Sequence, residues 1–375
     1  MSFVGPRPEV PEYVRLYDDS QRVVLTVPPG ITDPASLAFR DENELLARSD
    51  DPERYYVEQI LPRKLELTMA YLSEQFGALG LEPGGTNGAW TQEVPLVSIT
   101  ADPDAALKIN DGESEWSYSY GPEVMAWTKR VVEKPVIMDS EMVFVGYGIV
   151  APEYGWDDYA GIDVKGKTVV ILVNDPGFAT QDEDLFNGNT MTYYGRWTYK
   201  YEEAARQGAA GALIVHETKP AAYPWGTVEG SWSGPQFGLV PEDDNMSRVA
   251  IEGWITLDVA TAIFRNAGMD YESLRDLAAV QGFRPQAMGL DASMLLNNTL
   301  SRSTSSNVLA MLPGTDRADE YIFYMAHWDH LGKDDSLEDD GIYNGALDNA
   351  TGTANLLELA EAFMSLAERP RRHFC

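Results

Sequence analysis

The chain has 375 residues, 44% of them hydrophobic, with nine Trp, nineteen Tyr and twelve Phe; this suffices for two or three domains with packed cores and excludes a disordered chain. A formal net charge of −31 argues against nucleic acid and anionic membrane surfaces as partners. Cys375 is the one cysteine, which excludes internal disulfides, a cysteine-held zinc and a cysteine nucleophile within the fold, so any metal has to be held by His and carboxylate.

No apolar run approaches the roughly 20 residues that span a bilayer. The opening "MSFVGPRPEVPEYVRLYDD" shows neither an apolar signal core nor a small-residue cleavage site, so no signal peptide is visible and the cellular address stays open. Residues 1–62 form a poorly defined segment in which Pro and Asp interrupt every periodic pattern. From Leu65 the pattern sharpens: Leu65, Met69, Leu72, Phe76 and Leu79 make an amphipathic helical stripe, with Gly80 where the helix should stop. "WTQEVPLVSI" alternates as a strand, and Pro95 suggests an edge or a bulge.

A second region begins near Glu141. "MVFVGYGIV" reads as one strand and "KTVVILV" as another, buried on both faces; "YKYEEAARQGAAGALIV" then gives a helix, a stop at Gly208 and a further buried strand. Strand, helix and strand in that order predict a βαβ-like unit. The glycines of "GAAGA" follow a helix instead of preceding one, and no phosphate-loop spacing is present, so they do not read as a nucleotide site. "TAIFRNAG" and "YESLRDLAAV" are the best helical pieces before a third pattern starts near Ser305.

In that third pattern "SSNVLAMLPG" and "YIFYMAH" read as strands, and "NATGTANLLELAEAFMSLAERP" as a helix with Leu356, Ala360, Phe363, Met364 and Ala367 on one face, halted by Pro370. The apolar run Tyr321–Ala326 is expected to be a buried strand that delivers His327 to its C-terminal end, where open α/β sheets place their ligand sites. Strand alternation puts Asp329 on the same face as His327, within reach of the second ring nitrogen of a metal-bound imidazole. Asp348 returns a carboxylate at the mouth of the next helix, and a nitrogen with carboxylate oxygens suits Zn²⁺. "KDDSLEDD" reads as a solvated acidic loop and His330 as a structural residue.

The pair "AHWDHLG" and "NGALDNATGTANLLELAEAF" closely resembles the zinc exopeptidase family of aminopeptidase Y, the secreted leucine aminopeptidases and glutamate carboxypeptidase, over Ser305 to Arg372. "YLSEQFGALGLEPGGTNGAWTQEVPL" is similar to the N-terminal helix and first strand of that peptidase domain. "VGYGIVAPEYGWDDYAGIDVKGKTVVILV" through "YKYEEAARQGAAGALIVH" is similar to the protease-associated domain that many members carry as an insertion.

The resemblance implies an α/β fold, the start of a mixed-sheet zinc exopeptidase domain interrupted by a β-rich α/β protease-associated domain. The expected divisions are 63–138 and 300–375 for the peptidase domain and 139–290 for the insertion. It also implies two zinc ions, His327 as a terminal ligand of one, Asp348 as the carboxylate bridging both, Asp329 orienting His327, and a cis peptide at Asp348–Asn349. The implied substrates are peptide or protein N-termini, with no nucleic acid or membrane partner; members are often secreted or periplasmic.

The family pattern continues with a glutamate base and further ligands that find no place here. His373 lies in the divergent tail "RRHFC" and is not assigned as a ligand. The expectation is therefore a C-terminally truncated aminopeptidase, explained by a reading-frame error or a shortened gene. A metallocarboxypeptidase and a non-catalytic remnant or binding module stand as the alternatives.

Overall fold

The computed structural model describes residues 38–375 apart from 40, 331, 334–341 and 344. Most of the acidic loop "KDDSLEDD" and the first 37 positions thus lie outside the described residues. The chain divides into two compact units, one made of residues 1–94 and 305–375, the other of residues 95–304.

In the first unit short helical pieces at Glu42–Ala47, Pro52–Tyr55 and Tyr56–Ile60 lead into helix α1 (Leu61–Leu79). Its predicted stripe reaches the core at Leu72 and Phe76, whereas Leu65 is exposed. Gly80 ends the helix at φ +92°. Its N–H reaches back to Gly77 and that of Leu81 to Phe76, the paired bonds of a Schellman stop. Glycine is needed there because other residues are strained at such a φ.

Strand β1 (Thr91–Ala101) leads into the second unit. There β2 (Ala106–Asn110), β3 (Glu115–Ser119), β4 (Val124–Trp127), β5 (Val136–Phe144), β6 (Thr168–Leu172), helix α2 (Trp197–Arg206) and β7 (Gly211–His216) follow in order. After β8 (Gln236–Leu239) come β9 (Ile251–Thr256), helices α3 (Leu257–Asn266) and α4 (Tyr271–Ala278), and β10 (Gln286–Leu295). Eight of these strands form one mixed sheet in the order β3-β2-β10-β5-β6-β7-β9-β4. The block β5-β6-β7-β9 is parallel, and the strands flanking it run antiparallel.

Every residue of β6 and β7 is buried, as "TVVIL" and "GALIVH" predict for strands covered on both faces. Alternation sorts them into two layers. Val170, Leu172, Leu213 and Val215 face a core with Ile263 and Phe264 of α3 and Tyr271 of α4. Val169, Ile171, Ala212 and Ile214 face a core with Tyr201 and Ala204 of α2. The βαβ reading of β6-α2-β7 therefore holds, Gly208 stopping α2 at φ +80°.

Two details differ from the sequence expectation. The strand expected over Met142–Val150 ends at Phe144, because Gly146 and Gly148 adopt positive φ and turn the chain. That turn is fastened by two buried groups: Lys200 donates to the Tyr147 carbonyl at 2.7 Å, and Asp158 accepts from the Ile149 N–H at 3.0 Å and Trp156 Nε1 at 2.7 Å. The compact unit also reaches beyond 139–290, since β2, β3 and β4 join the same sheet as β5.

Strand β11 (Asn298–Val308) returns the chain to the first unit, which ends with β12 (Arg317–Ile322), helix α5 (Thr351–Met364) and β13 (Arg372–Phe374). Ala360 of α5 packs with Leu72 and Phe76 of α1 and with Ala310. Helix α5 stops at Met364, so Ala367 is not on its face. The tail read as divergent forms a strand: β13 pairs in parallel with β12, Tyr321 opposite His373 and Ile322 opposite Phe374. The Phe374 ring lies 4.4 Å from that of Phe363. No helix among the described residues is long and apolar enough to cross a membrane.

Candidate metal centre

The strand expected to deliver His327 ends at Ile322, and residues 323–330 follow as irregular chain. The run expected to be buried is exposed: Tyr321, Phe323, Tyr324 and Met325 all face solvent, Met325 at 86%. Among the described residues β12 has a single sheet neighbour, three-residue β13. An aromatic strand is buried only where neighbours cover it, and here few do.

His327 nevertheless meets both predicted carboxylates. Its Nε2 lies 2.9 Å from Asp348 Oδ1, and its Nδ1 lies 3.0 Å from the Asp329 carbonyl and 3.4 Å from Asp329 Oδ1. Asp329 thus engages His327 chiefly through its backbone. Oxygen acceptors at both ring nitrogens favour the doubly protonated form of the metal-free imidazole. Its pKa is raised from the ordinary histidine value, first by the bond to the Asp329 carbonyl, against desolvation as the next influence, and then by the charges of Asp348 and Asp329.

Asp348 sits in the turn that opens α5. The Asp348–Asn349 peptide is cis, as the resemblance implied. Gly345 precedes it at φ +63°, its carbonyl accepting from the Ala350 N–H at 3.0 Å. Asn349 Oδ1 then accepts from the Gly352 N–H at 3.1 Å, and a Cβ at position 352 would lie 2.3 Å from that oxygen. A Cβ at 352 would therefore displace the Asn349 amide from this bond. A Cβ at 345 would lie 3.0 Å from that of His330, which sits exposed beside this turn. His373 stacks on Tyr321 at 4.9 Å and accepts from the Gly314 N–H at 3.5 Å, a packing role in β13.

The donor set fits zinc as far as it goes. The Nδ1 bond to the Asp329 carbonyl leaves Nε2 as the coordinating nitrogen, and it points at a carboxylate oxygen. A cation between them takes the place of the Nε2 proton. Among the described residues no group of three or more His, Cys, Asp or Glu side chains converges on a metal position. The centre is thus one imidazole, one facing carboxylate and the group that orients the imidazole. Sequence reasoning missed the Gly-Thr pair after the turn, Gly352 and Thr353, although small residues directly behind a ligand are a readable sign of close backbone packing.

The cis turn thus presents a carboxylate to a histidine in irregular chain. Comparison narrows this. Residues 307–374 match the model of peptidase family M28, the tail strand included. A stretch of 98 residues is 33% identical to aminopeptidase NAALADL1 of Mus musculus, covering 24% of this chain and 12% of that protein. The aminopeptidase from Aneurinibacillus sp. strain AM-1 aligns over 90% of this chain and 61% of its own, with 19% identity and a TM-score of 0.36. BSAP, a zinc aminopeptidase from Bacillus subtilis, aligns over 83% of this chain and 54% of its own, with 14% identity and a TM-score of 0.30.

Proposed function

We propose that this chain carries metal ligands of a zinc-dependent aminopeptidase acting on peptide N-termini. The observation that carries the reading is the His327–Asp348 contact at 2.9 Å with Asp329 behind the imidazole. His327 and Asp348 would hold the zinc through Nε2 and the carboxylate. Bound zinc supplies an activated water and polarises the scissile carbonyl. Asp329 fixes which ring nitrogen of His327 faces the centre, and the Asn349–Gly352 cap holds the Asp348 carboxylate at the helix mouth. The 95–304 unit takes the role of a protease-associated domain, a reading supported by its parallel β-α-β block within a largely β framework.

One observation favours a second, narrower reading of this polypeptide alone. With no third His, Cys, Asp or Glu converging on the centre among the described residues, two donors hold zinc weakly. The chain by itself then behaves as a non-catalytic remnant of the family.

Zinc content by mass spectrometry and hydrolysis of an aminoacyl anilide separate the two. Weak, substoichiometric zinc that disappears in His327→Ala, with negligible turnover, is the expected result. Two tightly held zinc ions per chain with turnover would refute the remnant reading, and zinc uptake identical in His327→Ala would refute the centre itself.

A further inference from the structure

The two ligand-bearing segments are 21 positions apart in sequence and stem from different local structures, irregular chain for His327 and a helix-opening turn for Asp348. Most hydrogen bonds of that turn stay within it: Ala350 to Gly345, Gly352 to Asn349, and Thr351 Oγ1 to the Leu347 carbonyl at 2.7 Å. Thr353 differs. Its hydroxyl lies 3.4 Å from the His327 carbonyl and 3.4 Å from the Asn349 carbonyl. One hydroxyl proton is thus shared between the backbone of the imidazole ligand and the residue joined to the carboxylate ligand. Among the described residues this is the hydrogen bond that ties the two backbones together.

Resting on the metal-centre reading above, we infer that Thr353 is a positioning residue that sets the register of His327 against Asp348 through these two carbonyls. It touches neither metal nor substrate. Its position follows from the glycine before it: with no side chain at 352, the first turn of α5 lies close enough to Asn349 for the 353 hydroxyl to reach across to 327. Fixing one backbone against another acts on a metal site as outer partners of ligands do, by limiting the spread of ligand positions before metal arrives.

Two variants of the full chain test this. Thr353→Val keeps the shape of the side chain and removes the hydroxyl, and Thr353→Ser keeps the hydroxyl. Zinc titration against a chromophoric chelator is expected to show about tenfold weaker binding in Thr353→Val, with affinity restored in Thr353→Ser. The ligand-field spectrum of the cobalt-substituted chain should broaden in the valine variant and sharpen again in the serine variant. Backbone ¹⁵N order parameters of His327 to Asp329 in the metal-free chain give a reading independent of zinc: they should fall in Thr353→Val and recover in Thr353→Ser. Unchanged order parameters in the valine variant, or a serine variant as impaired as valine, would overturn the inference. Absence of zinc binding by the wild-type chain would instead overturn the metal-centre reading, and the order parameters would still decide the role of Thr353.

Discussion

At the scale of single residues, the proposed centre turns on His327. Its imidazole is half-exposed and held protonated above the ordinary range by oxygens on both sides. A raised pKa means the proton stays on as pH rises through the usual histidine range, and it occupies Nε2, the position a metal needs. Zinc affinity is therefore expected to fall about tenfold for each pH unit below the His327 pKa, with one proton released per ion bound; calorimetric titration in buffers of different ionisation enthalpy measures both. Asp348→Asn removes a charge that favours the imidazolium, so the His327 pKa should drop toward its ordinary value by NMR titration while zinc affinity also falls. A drop in affinity without a drop in pKa would show that Asp348 does not face the ring in solution.

These residue contacts were legible to different degrees. His327, Asp329 and Asp348 announce themselves because few residue types bind zinc and their order along the chain is specific. That Asp329 uses mainly its carbonyl was not legible, since strand alternation was assumed for a segment that is irregular. Thr353 was not legible because its partner lies 26 positions away and nothing local records that contact.

At the scale of elements, local periodicity found what local periodicity decides. Helix α1 follows its apolar stripe and stops at Gly80; the all-buried strands β6 and β7 follow from unbroken β-branched runs. The strand before His327 failed by the same logic. "YIFYM" has the composition of a buried strand, yet burial depends on neighbours that composition cannot supply, and past Ile322 only the Tyr324 N–H, bonded to the Cys375 carbonyl, continues the pairing among the described residues. Conversely "RRHFC" lacks an apolar pattern and still pairs, because Phe374 finds Phe363 and His373 finds Tyr321. The stop of α1 is open to test. Gly80→Ala imposes a Cβ at φ +92° and 3.0 Å from the Met364 methyl, so it should cost about 1 kcal/mol or more of stability in denaturant titration. An unchanged midpoint would mean the helix ends differently.

At the scale of the whole molecule, the chain carries two units of unequal substance. The 95–304 unit has two extensive buried layers on a closed-over sheet, while the buried core of the other among the described residues is Leu72, Phe76, Ala310 and Ala360 with a partly buried rim. The boundary between 94 and 95 falls inside a strand, where no linker composition marks it, so sequence reading placed it elsewhere. Scanning calorimetry is expected to resolve two transitions. Phe264→Ala, which opens the larger core, should lower one by about 3–5 kcal/mol of stability. Phe76→Ala should lower the other, and zinc should raise that second transition alone. A single transition moved by both substitutions would show that the units unfold together.

The bare flank of β12 also has a consequence for how copies of this chain treat one another in a test tube. Among the described residues its other edge has no partner strand, and Tyr321 with the following Phe323 and Tyr324 is exposed, a template for strand addition that the net charge of −31 opposes by repulsion. Acidification protonates the carboxylates and added salt shortens the reach of those that remain. Light scattering should therefore rise as either is applied, and a lysine at Phe323 should delay the rise; a curve unmoved by that substitution would place the adhesive surface elsewhere. Colloidal behaviour, on this account, is set by the same few residues that lead into the metal centre.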